Sequence, residues 1–248
     1  MSQNKLIVSN WKMNLNIKNS MKIIKNMVSL NLPKLKNCKN IICPQFLLIP
    51  KISEIIKGRD IILGSQDCHY EEEGAFTGDS SIEMIKTYNC KYSIIGHSER
   101  RHYYNERNEN IYKKASQIQK NKLIPIICIG ESLDQRKKNN HLNVLSKQII
   151  ECIPKDLKDI VIAYEPIWSI GTGVTPSSDE ILEVINFIKK FLKKNKFSNK
   201  FSILYGGSVN SSNIDSIISI SKADGVLIGG ASIDINEISK ILSYFYFN

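Results

Sequence analysis

Eight short, almost wholly apolar runs recur along the 248-residue chain. They are Leu6-Ile7-Val8, Ile41-Ile42-Cys43, Ile61-Ile62-Leu63, Ser93-Ile94-Ile95, Ile126-Ile127-Cys128, Val161-Ile162-Ala163, Ile203-Leu204-Tyr205 and Val226-Leu227-Ile228. Continuous rather than alternating apolarity is the pattern of parallel strands covered on both faces. Between the runs lie segments with helical spacing, such as Met21, Ile24, Val28 and Ile181, Val184, Ile188. Successive strand starts are separated by distances that fit βα units of roughly 20 to 40 residues. Eight such units without a composition break or linker predict a single domain, 1–248, folded as a closed (β/α)8 barrel. An open, doubly wound sheet is the alternative, but eight regular units favour closure. A barrel of this kind takes about 250 residues as one unit.

Composition supports a full core: 42% of residues are hydrophobic and 23% charged, which excludes disorder. The six cysteines (38, 43, 68, 90, 128, 152) form no CxxC pair. A zinc cluster or disulfide scaffold is therefore not expected, and reduced thiols are. Neither an export signal nor a stretch of ~18 apolar residues is visible. The expectation is a soluble, cytoplasmic protein without a membrane partner. The formal charge of +10 has two readings, binding to nucleic acid or anionic metabolites and compositional drift. Only five basic residues are Arg against 29 Lys. The densest run, Lys189-Lys190-Phe191-Leu192-Lys193-Lys194, puts lysines at i and i+4 opposite an apolar helix face, so a solvated face is expected there.

In a barrel, catalytic groups belong just after the strands. There the sequence turns polar and glycine-rich. Asn10-Trp11-Lys12 follows the first run, Gly96-His97-Ser98-Glu99-Arg100 the fourth, Glu165 the sixth, and a Gly-Gly turn each of the last two. Glu165, bordered by Pro166, Ile167 and Trp168, suits a carboxylate desolvated into a base near neutral pH; a strand-end ion pair is the plainer reading. His97 precedes a possible helix start, which favours a neutral imidazole; a structural strand-end histidine fits equally. Lys12 suits phosphate or a developing oxyanion, though any one lysine among 29 has a surface explanation. Gly206-Gly207-Ser208 and Gly229-Gly230 let backbone N–H groups approach an anion, and turns after strands 7 and 8 are a barrel's phosphate site. Trp168 to Gly173 reads as a lid or as a fixed, packed loop.

Together, Asn10-Trp11-Lys12-Met13-Asn14, Ile95-Gly96-His97-Ser98-Glu99-Arg100-Arg101, Cys128-Ile129-Gly130-Glu131, Ala163-Tyr164-Glu165-Pro166-Ile167-Trp168, Gly171-Thr172-Gly173, Tyr205-Gly206-Gly207-Ser208-Val209 and Gly229-Gly230-Ala231-Ser232 resemble the triosephosphate isomerase family, in the family's order. The resemblance implies interconversion of dihydroxyacetone phosphate and D-glyceraldehyde 3-phosphate through an enediolate, in glycolysis and gluconeogenesis, without metal or organic cofactor. It implies Glu165 as the base, His97 as the electrophile and Lys12 with Asn10 as substrate holders. Gly171, Ser208, Gly229 and Gly230 would bind phosphate through backbone N–H groups, and Glu99 would orient Lys12. Closing Ile170-Gly171-Thr172 would desolvate Glu165. The stretch Gly74-Ala75-Phe76-Thr77-Gly78-Asp79 implies a homodimer, with Thr77 approaching the neighbouring active site.

One departure from the family pattern is visible. Gly173-Val174-Thr175-Pro176 lacks the usual Lys after the last glycine and is about two residues shorter. This affects the far hinge, together with the family's contact from the Tyr205 hydroxyl to a backbone N–H there. Three rival functions remain. Another phosphate-binding barrel enzyme would share the Gly-Gly turns but not Asn10-Trp11-Lys12, His97 and Glu165. A nucleic-acid binder would need a recognition motif, and none is present. A scaffold barrel would not keep every expected catalytic residue.

Overall fold

The computed structural model describes residues 5–30, 38–171, 174–198 and 200–247. Eight parallel strands close on themselves in sequence order. They are β1 (Lys5–Asn10), β2 (Cys38–Cys43), β3 (Ile62–Ser65), β4 (Tyr92–Ile95), β5 (Ile124–Ile129), β6 (Asp159–Tyr164), β7 (Lys200–Tyr205) and β8 (Gly225–Ile228). Closure is direct, because β1 pairs with β2 on one side and β8 on the other. Each apolar run of the sequence lies in one strand, except that Ile61, half-buried, falls just before β3.

Alternate residues of each strand face opposite layers, as the two-residue period of a strand requires. Val8, Ile41, Ile94, Ile126, Ala163 and Leu204 fill the barrel interior. Their neighbours Ile7, Ile42, Ile95, Ile127, Ile162 and Ile203 pack outward beneath the helices. Both faces of every strand are therefore covered, which is why the runs show no polar alternation.

The helices are α1 (Ile17–Ser29), α2 (Ile49–Ile55), α3 (Ile82–Thr87), α4 (Ser98–Tyr103), α5 (Asn108–Lys120), α6 (Leu133–Lys137), α7 (His141–Cys152), α8 (Ser178–Lys194), α9 (Ile214–Ser219) and α10 (Ile235–Phe247). On α8 the apolar stripe Ile181, Val184, Ile185, Ile188 and Leu192 is buried, while Lys190, Lys193 and Lys194 are exposed. Lys189 is not a free surface lysine. Its Nζ donates to Asp224 Oδ1 and the Lys222 carbonyl, both at 3.0 Å, tying α8 to the turn before β8. All six cysteines are buried and unbridged. Among the described residues no helix is long and apolar enough to cross a membrane.

Candidate active site

A cavity of about 370 Å³ opens where the strands end. Asn10, Lys12, His97, Glu165, Gly171, Ser208, Gly229 and Gly230 all line it. They come from the ends of five strands, β1, β4, β6, β7 and β8, so only barrel closure brings them together.

Lys12 follows β1 in an unusual backbone state. Its φ is +50°, a left-handed conformation that non-glycine residues seldom adopt. Two side chains hold it there. Asn10 Oδ1 accepts the Lys12 N–H at 3.1 Å, and Gln66 Nε2 donates to the Lys12 carbonyl at 2.9 Å and the Cys43 carbonyl at 3.0 Å. The ammonium then meets Glu99 Oε1 at 2.6 Å. Gln66 lies 54 residues from Lys12, and no motif of the sequence reading included it.

His97 closes β4 and caps α4, the helix expected from Ser98-Glu99-Arg100. Its Nδ1 accepts the Glu99 N–H at 3.2 Å. An acceptor at Nδ1 leaves the ring proton on Nε2. That nitrogen lies 3.2 Å from Glu165 Oε1. One residue thus serves both partners: Glu99 fixes the ring through its backbone and the ammonium through its carboxylate. Arg101 braces the same end of β4, donating to the carbonyls of Gly96 at 2.8 Å and Cys128 at 3.1 Å.

Glu165 is 2% exposed. Its Oε2 accepts the Ser98 N–H at 3.2 Å, while Oε1 lines up with no hydrogen-bond donor among the described residues. Among the described residues no Lys or Arg pairs with it, and the ion-pair partner within reach is His97. Desolvation is expected both from the bordering Pro166, Ile167 and Trp168 and from loop closure; the carboxylate is buried as it stands. Burial and the neighbouring Glu165 carboxylate push the Cys128 thiol well above its usual range. A neutral thiol therefore sits beside this carboxylate.

The two Gly-Gly turns differ. A Cβ at Gly206 would stand 2.9 Å from Glu165 Cγ, and one at Gly207 would stand 2.6 Å from Ser169 Oγ. The first pair is therefore required by packing within the protein. At Gly230 a Cβ meets nothing within 4 Å, and at Gly229 only the Lys12 side chain, from 3.5 Å. There the missing side chains leave space to the cavity.

The loop after β6 begins as a 3-10 turn, Ile167–Ser169. Glu131, fully buried, accepts from the Tyr164 hydroxyl at 3.0 Å and from Trp168 Nε1 at 3.1 Å. The Tyr205 hydroxyl meets Ser169 Oγ at 3.3 Å, a contact to the near side of the loop. Gly171 has φ +68°; Thr172 and Gly173 lie outside the described residues. Glu99 supports Lys12 from outside the cavity lining. Thr77 is exposed on the β3–α3 connection, and it too is absent from that lining.

Comparison with known proteins agrees with this geometry. The family model described as triosephosphate isomerase matches residues 5–245. Curated triosephosphate isomerases from Clostridium tetani and Thermoanaerobacter pseudethanolicus are 42% and 37% identical. Each alignment spans 96% of this chain, and 96% and 98% of the relative. The crystal structure of triosephosphate isomerase from Bartonella henselae superposes with a TM-score of 0.86 at 32% identity, covering 99% of this chain and 100% of that one. With sequence, fold and cavity in agreement over nearly its whole length, the chain belongs to the triosephosphate isomerase family and is an isomerase that interconverts dihydroxyacetone phosphate and D-glyceraldehyde 3-phosphate in glycolysis.

Proposed function

We propose that Glu165 is the base that carries the proton between C1 and C2 of the triose phosphate. The observation that carries this reading is its buried Oε1, 3.2 Å from His97 Nε2, on a side chain that lines the cavity. Glu165 removes the C1 proton of dihydroxyacetone phosphate, leaving an enediolate, and returns it at C2. Nε2–H of His97 polarises the carbonyl and moves a proton between the two enediolate oxygens. The Lys12 ammonium, held by Glu99, offsets the negative charge that develops. Asn10 keeps the first connection in shape and helps hold the substrate. Gly171, Ser208, Gly229 and Gly230 receive the phosphate through backbone N–H groups. The space at Gly229 and Gly230 supports this half of the site. Isomerisation in D2O, followed by proton NMR, tests proton transfer: deuterium should enter product carbon at the transferred position.

The same reading extends to assembly. The chain acts as one domain and as a cytoplasmic homodimer, with no nucleic-acid or membrane partner. Met13, Leu47, Phe76 and Tyr103 are exposed apolar or aromatic side chains. They lie on the connections or helices that follow β1, β2, β3 and β4, four adjacent strands of the barrel. A second copy would cover this edge, with Thr77 brought to the neighbouring site.

A further inference from the structure

The side chains of Tyr205 and Ser169 meet at Gly207 and leave no room there for another. A Cβ there would overlap the Tyr205 hydroxyl and stand 2.6 Å from Ser169 Oγ. Ser169 is fully buried. Its Oγ lies 3.3 Å from the Tyr205 hydroxyl and accepts the Ser208 N–H at 3.3 Å. A serine hydroxyl offers two lone pairs and one proton, so it serves both neighbours at once. Burial pushes the Tyr205 phenol up to about 12, and it remains a neutral partner.

The Ser208 N–H is also one of the four amides assigned to substrate phosphate. One N–H has one proton, and it cannot give a well-aligned bond to two acceptors in different directions. The geometry points to Ser169 as a positioning residue that competes with substrate: its Oγ holds the Ser208 amide in the free enzyme and is displaced from it when phosphate binds. This rests on the assignment of Ser208 as a phosphate donor. The bond to Ser169 exists only before binding. Its loss therefore weighs equally on the bound substrate and the transition state, so it sets KM and phosphate affinity and leaves kcat alone. A neutral bond at the long end of the hydrogen-bond range corresponds to a change of a few fold.

The test compares the wild type with Ser169→Ala and Ser169→Cys. It measures kcat and KM for glyceraldehyde 3-phosphate and competitive inhibition by inorganic phosphate at constant ionic strength. Ser169→Ala should lower KM and the phosphate inhibition constant together by about two- to fivefold, with kcat within about twofold. Ser169→Cys, similar in size but a weak acceptor, should fall between. If the alanine variant does not fold, the cysteine variant carries the test, with both constants lowered together by a smaller factor. Unchanged or raised constants, or a fall in kcat alone, would overturn the role of Ser169. Should phosphate fail to compete with substrate in the wild type, the phosphate site itself is refuted, before any variant is compared.

Discussion

Gly130 and Glu165 meet through their backbones. A Cβ at Gly130 would stand 2.7 Å from the Glu165 carbonyl carbon and closer still to its oxygen. The contact prolongs the pairing of β5 with β6 beyond the strands: Glu165 N–H donates to the Ile129 carbonyl at 2.8 Å, and Ile167 N–H to the Glu131 carbonyl at 3.0 Å. The Glu165 backbone is positioned by the strand next to its own.

Gly130→Ala should therefore move the Glu165 backbone. A misplacement of about 1 Å at a reacting group costs on the order of 100-fold in rate, and crowding of this kind costs about 1–3 kcal/mol in stability. Steady-state kinetics beside thermal melts should show kcat falling far more than stability explains. Wild-type turnover would show that the backbone contact does not position the base.

The Lys12–Glu99 pair separates function from stability. Its partners are 25% and 41% exposed, and a solvent-screened pair of this kind contributes about 1 kcal/mol or less to folding. Glu99→Gln should leave the melting temperature nearly unchanged while raising KM and lowering kcat at least about tenfold together, roughly the effect of one misaligned charge on the reaction. A variant that melts early and keeps its kinetics would make Glu99 a structural residue.

Acid stability should depend on Glu180. Its carboxylate caps α8, accepting from the Ser177 backbone at 2.8 Å and hydroxyl at 3.0 Å. Burial opposes the charged form, but these bonds and Arg136 outweigh it and hold the group below its ordinary 4.5. A lowered folded value means stability that is present above about pH 4.5 and lost as pH falls through the folded value. Ser177→Ala should cost about 1 kcal/mol at neutral pH and reduce the acid loss between roughly pH 5 and 3. Denaturant melts across that range decide it; an unchanged acid slope would contradict the capping account.

Assembly is tested at Thr77. Thr77→Arg, placing charge on the exposed β3–α3 connection, should give monomers in sedimentation and cut activity by about two orders of magnitude or more while the barrel's circular dichroism persists. A fully active monomer would dissociate the site from the interface.

How far the sequence could be read follows from the range of each contact. All eight strands were legible because each carries its own apolar run, and α1 and α8 because they are long enough for a 3.6-residue period. Helices of five to seven residues, such as α3, α6 and α9, are too short to show one. His97, Glu165 and the Gly-Gly turns were visible as polar punctuation at strand ends. Gln66 on Lys12, Glu131 beneath Trp168 and Ser169 on Ser208 were not given those roles, since each joins residues 37 to 54 positions apart. Gly206 and Gly207 were read as anion-binding turns, whereas their missing side chains make room for Glu165 and Ser169. Only a folded barrel reveals the difference.

The most direct measurement is the turnover of Glu165→Asp. Aspartate keeps the charge and withdraws the carboxylate by one methylene, which takes Oε1 out of reach of substrate carbon while leaving the barrel's layers untouched. Folding, followed by circular dichroism and melting, should stay close to wild type. We expect kcat to fall about 100-fold or more with KM changed only a few fold. Near-normal turnover in a folded Glu165→Asp protein would contradict the assignment of Glu165 as the base.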